Sequence, residues 1–171
     1  MVKALNIGSG NMRWGTDRID NYAYPNVTKV LDIEKGLPYR DNYFDVVFSR
    51  CVFEHMKDQF KLLLEMKRVC KPGGKIVLIT DNAGFILYHH NPFGWCHGNY
   101  NYENPNDIHY ALFTKEHLRN HFKAADLRIV RQEYQDIYRS NHWKYYIQLL
   151  IRIIFGNRMG RGRLLIIGEK R

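Results

Sequence analysis

Cysteine is scarce in this chain of 171 residues: only Cys51, Cys70 and Cys96 occur, an odd number without a CxxC spacing. That pattern argues against a disulfide framework and suits a reducing compartment. No basic segment leads into an apolar run at the start, and no stretch approaches about eighteen unbroken apolar residues. Neither a targeting segment nor a spanning helix is therefore expected, and the chain reads as cytoplasmic. Carboxylates are also in short supply, 17 against 26 Lys and Arg, for a net charge of +9. The shortage is sharpest from Arg139 to the end, where Glu169 alone stands against eight cations. A localised basic face attracts nucleic acid, anionic lipid or an acidic substrate, although a solvated basic tail is the plainer reading. Repeats and low-complexity tracts are missing too, so the length is read as one domain spanning residues 1–171.

What is present is an alternation of strand-like and helix-like stretches. "KALNI" at 3–7, "TDRID" at 16–20 and "VTKVLDI" at 27–33 read as three strands, the last rich in β-branched residues. "YFDVVFS" at 43–49 is a fourth, and its nearly continuous apolar run predicts burial on both faces of a parallel sheet. Residues 57–70 bring Phe60, Leu63, Leu64, Met66 and Val69 to helical spacing, and "KPGG" ends that helix. "GKIVLIT" at 74–80 is the next buried strand, and Thr114 caps a helix with Glu116 in its first turn. "LRIVRQEYQDI" and "RLLIIGEKR" supply two late strands. This order argues for an open α/β sheet, in which ligands sit at the carboxyl ends of the strands. That rule gathers Gly8–Gly10, Asp20, Asp32 and Ser49 on one edge.

The opening stretch "ALNIGSGNMRWGTDRID" has the glycines of a nucleotide loop, but Asp20 follows Gly10 by ten residues, half the spacing of a dinucleotide fold. A crossover of full length does not fit in that gap, so the fold is expected to be trimmed there.

"LNIGSG", "VLDIEKGLPYRDNYFDVVFSRCVFEHM" and "RVCKPGGKIVLIT" resemble, in order and spacing, the motifs of small class I S-adenosylmethionine-dependent methyltransferases over residues 3–80. "HYALFTKEHLRNHFKAADLRIV" at 109–130 is similar to the later part of the same family. The resemblance implies an open, mostly parallel Rossmann-like sheet with helices on both faces, trimmed at the first helix and closed by an antiparallel last strand. It implies S-adenosylmethionine as cofactor, with Ile7, Gly8, Ser9 and Gly10 against the methionine part. By the same likeness Asp20 takes the ribose hydroxyls, Asp32 and Ile33 flank adenine, and Ser49 and Arg50 border the methionine and the reacting methyl. Two departures accompany it: Asn6 stands where the family has an acid, and Asn11 and Met12 follow Gly10 where a third glycine is usual.

The segment 82–113 is long, aromatic and rich in histidine, as lids and binding loops are. His109 and Tyr110 are the first candidates to face a methyl acceptor, followed by His89, His90 and His97. His89, His90, Cys96 and His97 are zinc-ligand types at a spacing that matches no standard finger, so no metal is expected. His55 reads as structural and Cys51 as a small buried apolar residue. From about 141 to 157, Trp143, Tyr146, Ile147, Leu150, Ile151 and Ile154 recur at helical intervals among Lys144, Arg152 and Arg158. Such a helix packs on the core, caps the pocket, makes a homodimer contact, lies on a membrane surface or offers a basic flank to RNA.

The expected activity is methyl transfer from S-adenosylmethionine, the acceptor being undetermined among sugar, lipid headgroup, metabolite, protein and RNA. The rival is a catalytically inactive methyltransferase-like module that holds RNA or another anionic partner. A nicotinamide dehydrogenase is disfavoured by the glycine pattern.

Overall fold

The computed structural model describes residues 1–86, 108–137 and 142–171. Seven strands form one sheet: β1 (Ala4–Ile7), β2 (Asp17–Asp20), β3 (Lys29–Val30), β4 (Phe44–Arg50), β5 (Cys70–Asp81), β6 (Leu127–Gln135) and β7 (Arg163–Lys170). Their order is β3-β2-β1-β4-β5-β7-β6. The pairs from β3 to β5 are parallel, whereas β7 runs antiparallel to both β5 and β6. This is the mostly parallel, Rossmann-like sheet with an antiparallel last strand that the sequence pattern predicts. The described helices are α1 (Gln59–Val69), α2 (Lys115–Ala124) and α3 (Trp143–Gly160).

The trimming is visible between β1 and β2. Residues 8–16 connect them without a helix, folded back on β1 by Thr16, whose Oγ1 accepts from the Ala4 amide and donates to the Ala4 carbonyl. Asn6 Nδ2 donates to the Trp14 carbonyl at 3.1 Å, and the Trp14 ring stands edge-on to Phe48 with centroids 5.2 Å apart. The β2–β3 connection is equally short, and the strand expected over 27–33 is only Lys29–Val30. The chain leaves it because the Asp32 carboxylate accepts from the Glu34 amide and starts a single 3-10 turn.

β4 is less evenly buried than its apolar run predicts. Val47 and Ser49 are sealed, but Val46 and Phe48 are half-buried. A helix in the first crossover would have covered the latter face; the Trp14 ring covers only part of it. On the sealed side, Leu5, Ile7, Val47, Ile76, Leu78 and Ile166 pack with Leu63 and Met66 of α1 and with Leu118 and Phe122 of α2. Each of these side chains contributes roughly 1.5–3 kcal/mol by leaving water.

Asp58 caps α1 by accepting from the Lys61 amide at 2.9 Å. The buried stripe is Leu62, Leu63, Met66 and Val69, while Leu64 faces solvent, a one-residue rotation of the expected face. α1 ends at Val69, ahead of "KPGG", whose residues already belong to β5. The glycine at 74 is required, since a Cβ there would meet Cys70 Sγ at 2.7 Å and the Lys71 carbonyl at 2.9 Å. α2 begins as its sequence predicts, with Thr114 Oγ1 accepting from the His117 amide.

α3 occupies the β6–β7 connection and breaks at Gly156, where φ is 79°. The turn after the break brings Gly160 against Arg152. Asn82, just beyond β5, fastens this turn by donating through Nδ2 to the carbonyls of Arg158 and Arg161, each at 2.7 Å. Among the described residues no helix is long and apolar enough to cross a membrane.

Candidate active site

The carboxyl ends of β1, β2, β4 and β5 share one edge of the sheet, because these strands are parallel and in register. A cleft of about 610 Å³ opens there. Its floor carries Gly8, Asp20, Asp32 and Ile33, and its other wall carries Cys51, Val52, His55, Met56, Ile108 and Tyr110.

The glycine loop is a closed turn. The amides of Gly8 and Ser9 both donate to the Ile19 carbonyl, at 2.9 and 3.1 Å, and the Gly10 amide donates to Asp20 Oδ2 at 2.8 Å. Gly8 has φ 65°, and a Cβ on it would lie 2.1 Å from Val52 Cγ2. Only glycine lets β1 turn this close to the segment after β4. Asp20 Oδ1 accepts from the Tyr22 amide at 3.0 Å, so the carboxylate orders both chain segments that border the cleft. Both oxygens retain a second acceptor site, since an ionised carboxylate has about four.

Of the cofactor residues expected from the sequence, Gly8, Asp20, Asp32 and Ile33 line one cleft. Ile7 is sealed in the core, Ser9 and Ser49 are fully buried beneath the loop, Gly10 is held by Asp20, and Arg50 is exposed at the end of β4. Among the described residues Ser9 Oγ, Ser49 Oγ and Asn6 Oδ1 are buried without a hydrogen-bond partner.

The two catalytic candidates separate. Tyr110 is half exposed and lines the cleft, whereas the His109 side chain is nearly buried, with Nδ1 3.9 Å from Asp81 Oδ2. His109 instead packs edge-on to the His55 ring, centroids 4.5 Å apart. His55 is the cleft histidine that sequence reasoning passed over. Its Nδ1 lies 3.1 Å from the Ile108 carbonyl; because a carbonyl only accepts, the proton belongs on Nδ1 and Nε2 is the basic nitrogen. The cue lay in "FEHM", since it follows a strand whose carboxyl end faces the ligand edge. His89, His90, Cys96 and His97 fall outside the described residues.

Behind His55 lies a buried polar knot. Glu54 is fully buried; its Oε2 accepts from Thr80 Oγ1 at 2.8 Å. Burial, reinforced by the charge of Asp81, pushes its carboxyl up to about 8, and burial pushes the neighbouring Cys51 thiol up to about 11. Cys51 is thus a protonated, unreactive thiol at neutral pH. Ligand-type atoms of Glu54, His55 and His109, and likewise of Cys51, Glu54 and Asp81, lie within 4.8 Å of one another.

Residues 2–78 match the family model described as methyltransferase domain. Among curated proteins, a ubiquinone/menaquinone biosynthesis C-methyltransferase of Cupriavidus taiwanensis is 36% identical over 78 residues, 46% of this chain and 32% of that protein. This chain spans about a third of the length of such relatives. A SAM-dependent methyltransferase from Archaeoglobus fulgidus superposes with TM-score 0.68 at 20% identity, over 99% of this chain and 86% of the other. A phosphoethanolamine N-methyltransferase of Haemonchus contortus, solved with S-adenosyl-L-methionine, gives TM-score 0.62 at 17% identity, over 99% of this chain and 48% of the other.

Proposed function

We propose that this chain, whose residues 2–78 match the methyltransferase-domain model and whose fold is that of the class I enzymes, transfers a methyl group from S-adenosylmethionine to an acceptor arriving beside His55 and Tyr110. The observation that carries this reading is the charge of the cleft. In a protein of net charge +9, the described residues that line the cleft include the acids Asp20, Asp32 and Glu34 and, among these same residues, one cation, Lys57. Such a site favours a cationic sulfonium and repels the phosphates of a dinucleotide.

The donor set suits the cofactor. Asp20 offers its remaining lone pairs to ribose hydroxyls at the end of β2, and Asp32, at the next turn, offers a carboxylate to an exocyclic amine while Ile33 covers a ring. When bound, the cofactor supplies an electrophilic methyl, and displacement at that carbon needs alignment more than acid–base help. The chain's part is to hold the nucleoside end rigidly, keep Val52 and Met56 against it, and present His55 and Tyr110 on the acceptor side. Where the acceptor must lose a proton, His55 Nε2 takes it, with its tautomer set by the Ile108 carbonyl. His109 positions the His55 ring. The two ends of the segment 82–113 meet where the Ala83 amide donates to the Phe113 carbonyl at 2.9 Å.

One observation favours an inactive binding module instead: the loop amides of Gly8, Ser9 and Gly10 are all taken up internally. Calorimetric titration with S-adenosylmethionine and with S-adenosylhomocysteine decides between the two. Saturable binding that Asp20→Ala and Asp32→Ala weaken supports methyl transfer; no binding of either nucleoside overturns it.

A further inference from the structure

The polarity of α3 is inverted relative to a helix that packs its apolar side on a core. Its inner face buries Gln148, whose Nε2 donates to Asp136 Oδ1 at 3.3 Å, and holds the partly buried Arg152, which pairs with Asp136 Oδ2 at 3.3 Å. Its outer face shows Trp143, Tyr146, Leu150, Ile153, Ile154 and Phe155 to solvent, from 50% to 72% exposed. Residues 143, 146, 150 and 153 follow one another at helical intervals, so these side chains form a continuous ridge. A ridge of this size on a soluble face marks an interaction surface.

Charge indicates what covers it. Residues 142–163 carry five cations and no carboxylate, and of the five Arg152 and Arg161 pair with Asp136. Lys144 sits over the Trp143 ring at 5.6 Å, near one end of the ridge, and Arg158 is exposed near the other. A second copy seated antiparallel on this face would oppose Lys144 to Arg158 with no acid on either helix to pair them. An apolar ridge flanked by cations, with an indole at one end, instead matches the boundary between acyl chains and anionic headgroups. No described helix is long and apolar enough to cross a bilayer, so contact with lipid through this face would be lateral.

We propose that the outward face of α3 docks this protein on an anionic lipid bilayer. Asn82 fastens the carboxyl-terminal turn of α3 to the end of β5, next to Asp81 and the candidate active site, so docking holds the cleft close to the lipid surface.

The test is flotation of the full chain with vesicles of phosphatidylcholine alone and of phosphatidylcholine with about one third phosphatidylglycerol. The protein is expected to float with the anionic vesicles and to lose about tenfold in binding on neutral vesicles or in high salt. Ile153→Asp/Ile154→Asp is expected to lose at least about tenfold while its circular dichroism and thermal unfolding match the parent, since both side chains point to solvent. Lys144→Glu/Arg158→Glu should reduce binding to the anionic vesicles only. The proposal is overturned if the parent ignores anionic vesicles, or if the isoleucine pair floats as well as the parent. It is equally overturned if sedimentation shows a dimer that the isoleucine pair dissolves and vesicles go unbound. Flotation requires no cofactor, so its outcome is independent of the calorimetric test of methyl transfer.

Discussion

Asp20 holds the Gly10 amide at 2.8 Å through one carboxylate oxygen and the Tyr22 amide at 3.0 Å through the other. One side chain at the end of β2 therefore shapes the glycine loop and faces the cleft. Asp20→Ala is expected to weaken binding of S-adenosylhomocysteine by about 10- to 100-fold and to cost about 1–3 kcal/mol of stability, because two amides lose an ionic acceptor. Asp20→Asn, which keeps one acceptor oxygen, should fall between. Calorimetry and urea unfolding measure the two effects separately; stability lost with binding intact would remove Asp20 from the ligand site.

Gly8 is the loop's steric limit. Gly8→Ala places a methyl into Val52 and forces φ 65° on a residue with a Cβ, and a loss of about 2–4 kcal/mol is expected. Adding Val52→Ala should recover the clash but leave about 1 kcal/mol from the backbone. A Gly8→Ala protein within about 0.5 kcal/mol of the parent in denaturant unfolding would contradict this turn.

Glu54 predicts a slope of stability with pH. Its folded carboxyl, raised from an ordinary 4.5 to about 8, keeps a proton that the unfolded chain has already released. Between those values the native state binds more protons, so stability falls as pH rises and levels off above about 8. Glu54→Gln keeps the shape and removes the titration, and should flatten that part of the profile. Denaturant unfolding from about pH 5 to about pH 9 checks it, and parallel profiles for both proteins would show that Glu54 is ionised throughout.

Asn82 ties α3 to the sheet by two hydrogen bonds from a nearly buried amide. Asn82→Ala should cost about 1–3 kcal/mol. It should also speed proteolysis near Gly156, where the helix is already broken. Limited proteolysis followed by mass spectrometry locates the cut; cleavage no faster than in the parent would mean the tether carries no load.

Local pattern determined the elements of this protein. Apolar runs marked β1, β4, β5 and β7, Thr114 marked the start of α2, and the short gap from Gly10 to Asp20 announced a missing first helix. These features depend on neighbours within a few residues, where propensity, capping and chain reach act. The motif order likewise brought Gly8, Asp20, Asp32 and Ile33 to one edge, because parallel strands align their carboxyl ends. What depended on contacts between distant segments was decided by the tertiary structure. His55 entered the cleft and His109 withdrew because the Ile108 carbonyl, 53 residues away in sequence, anchors the His55 ring. Glu54 was raised to about 8 by burial beside Asp81, which no local pattern records. The periodicity of α3 revealed an apolar face; only Asp136, drawing Gln148 and Arg152 inward, determined that this face points away from the protein.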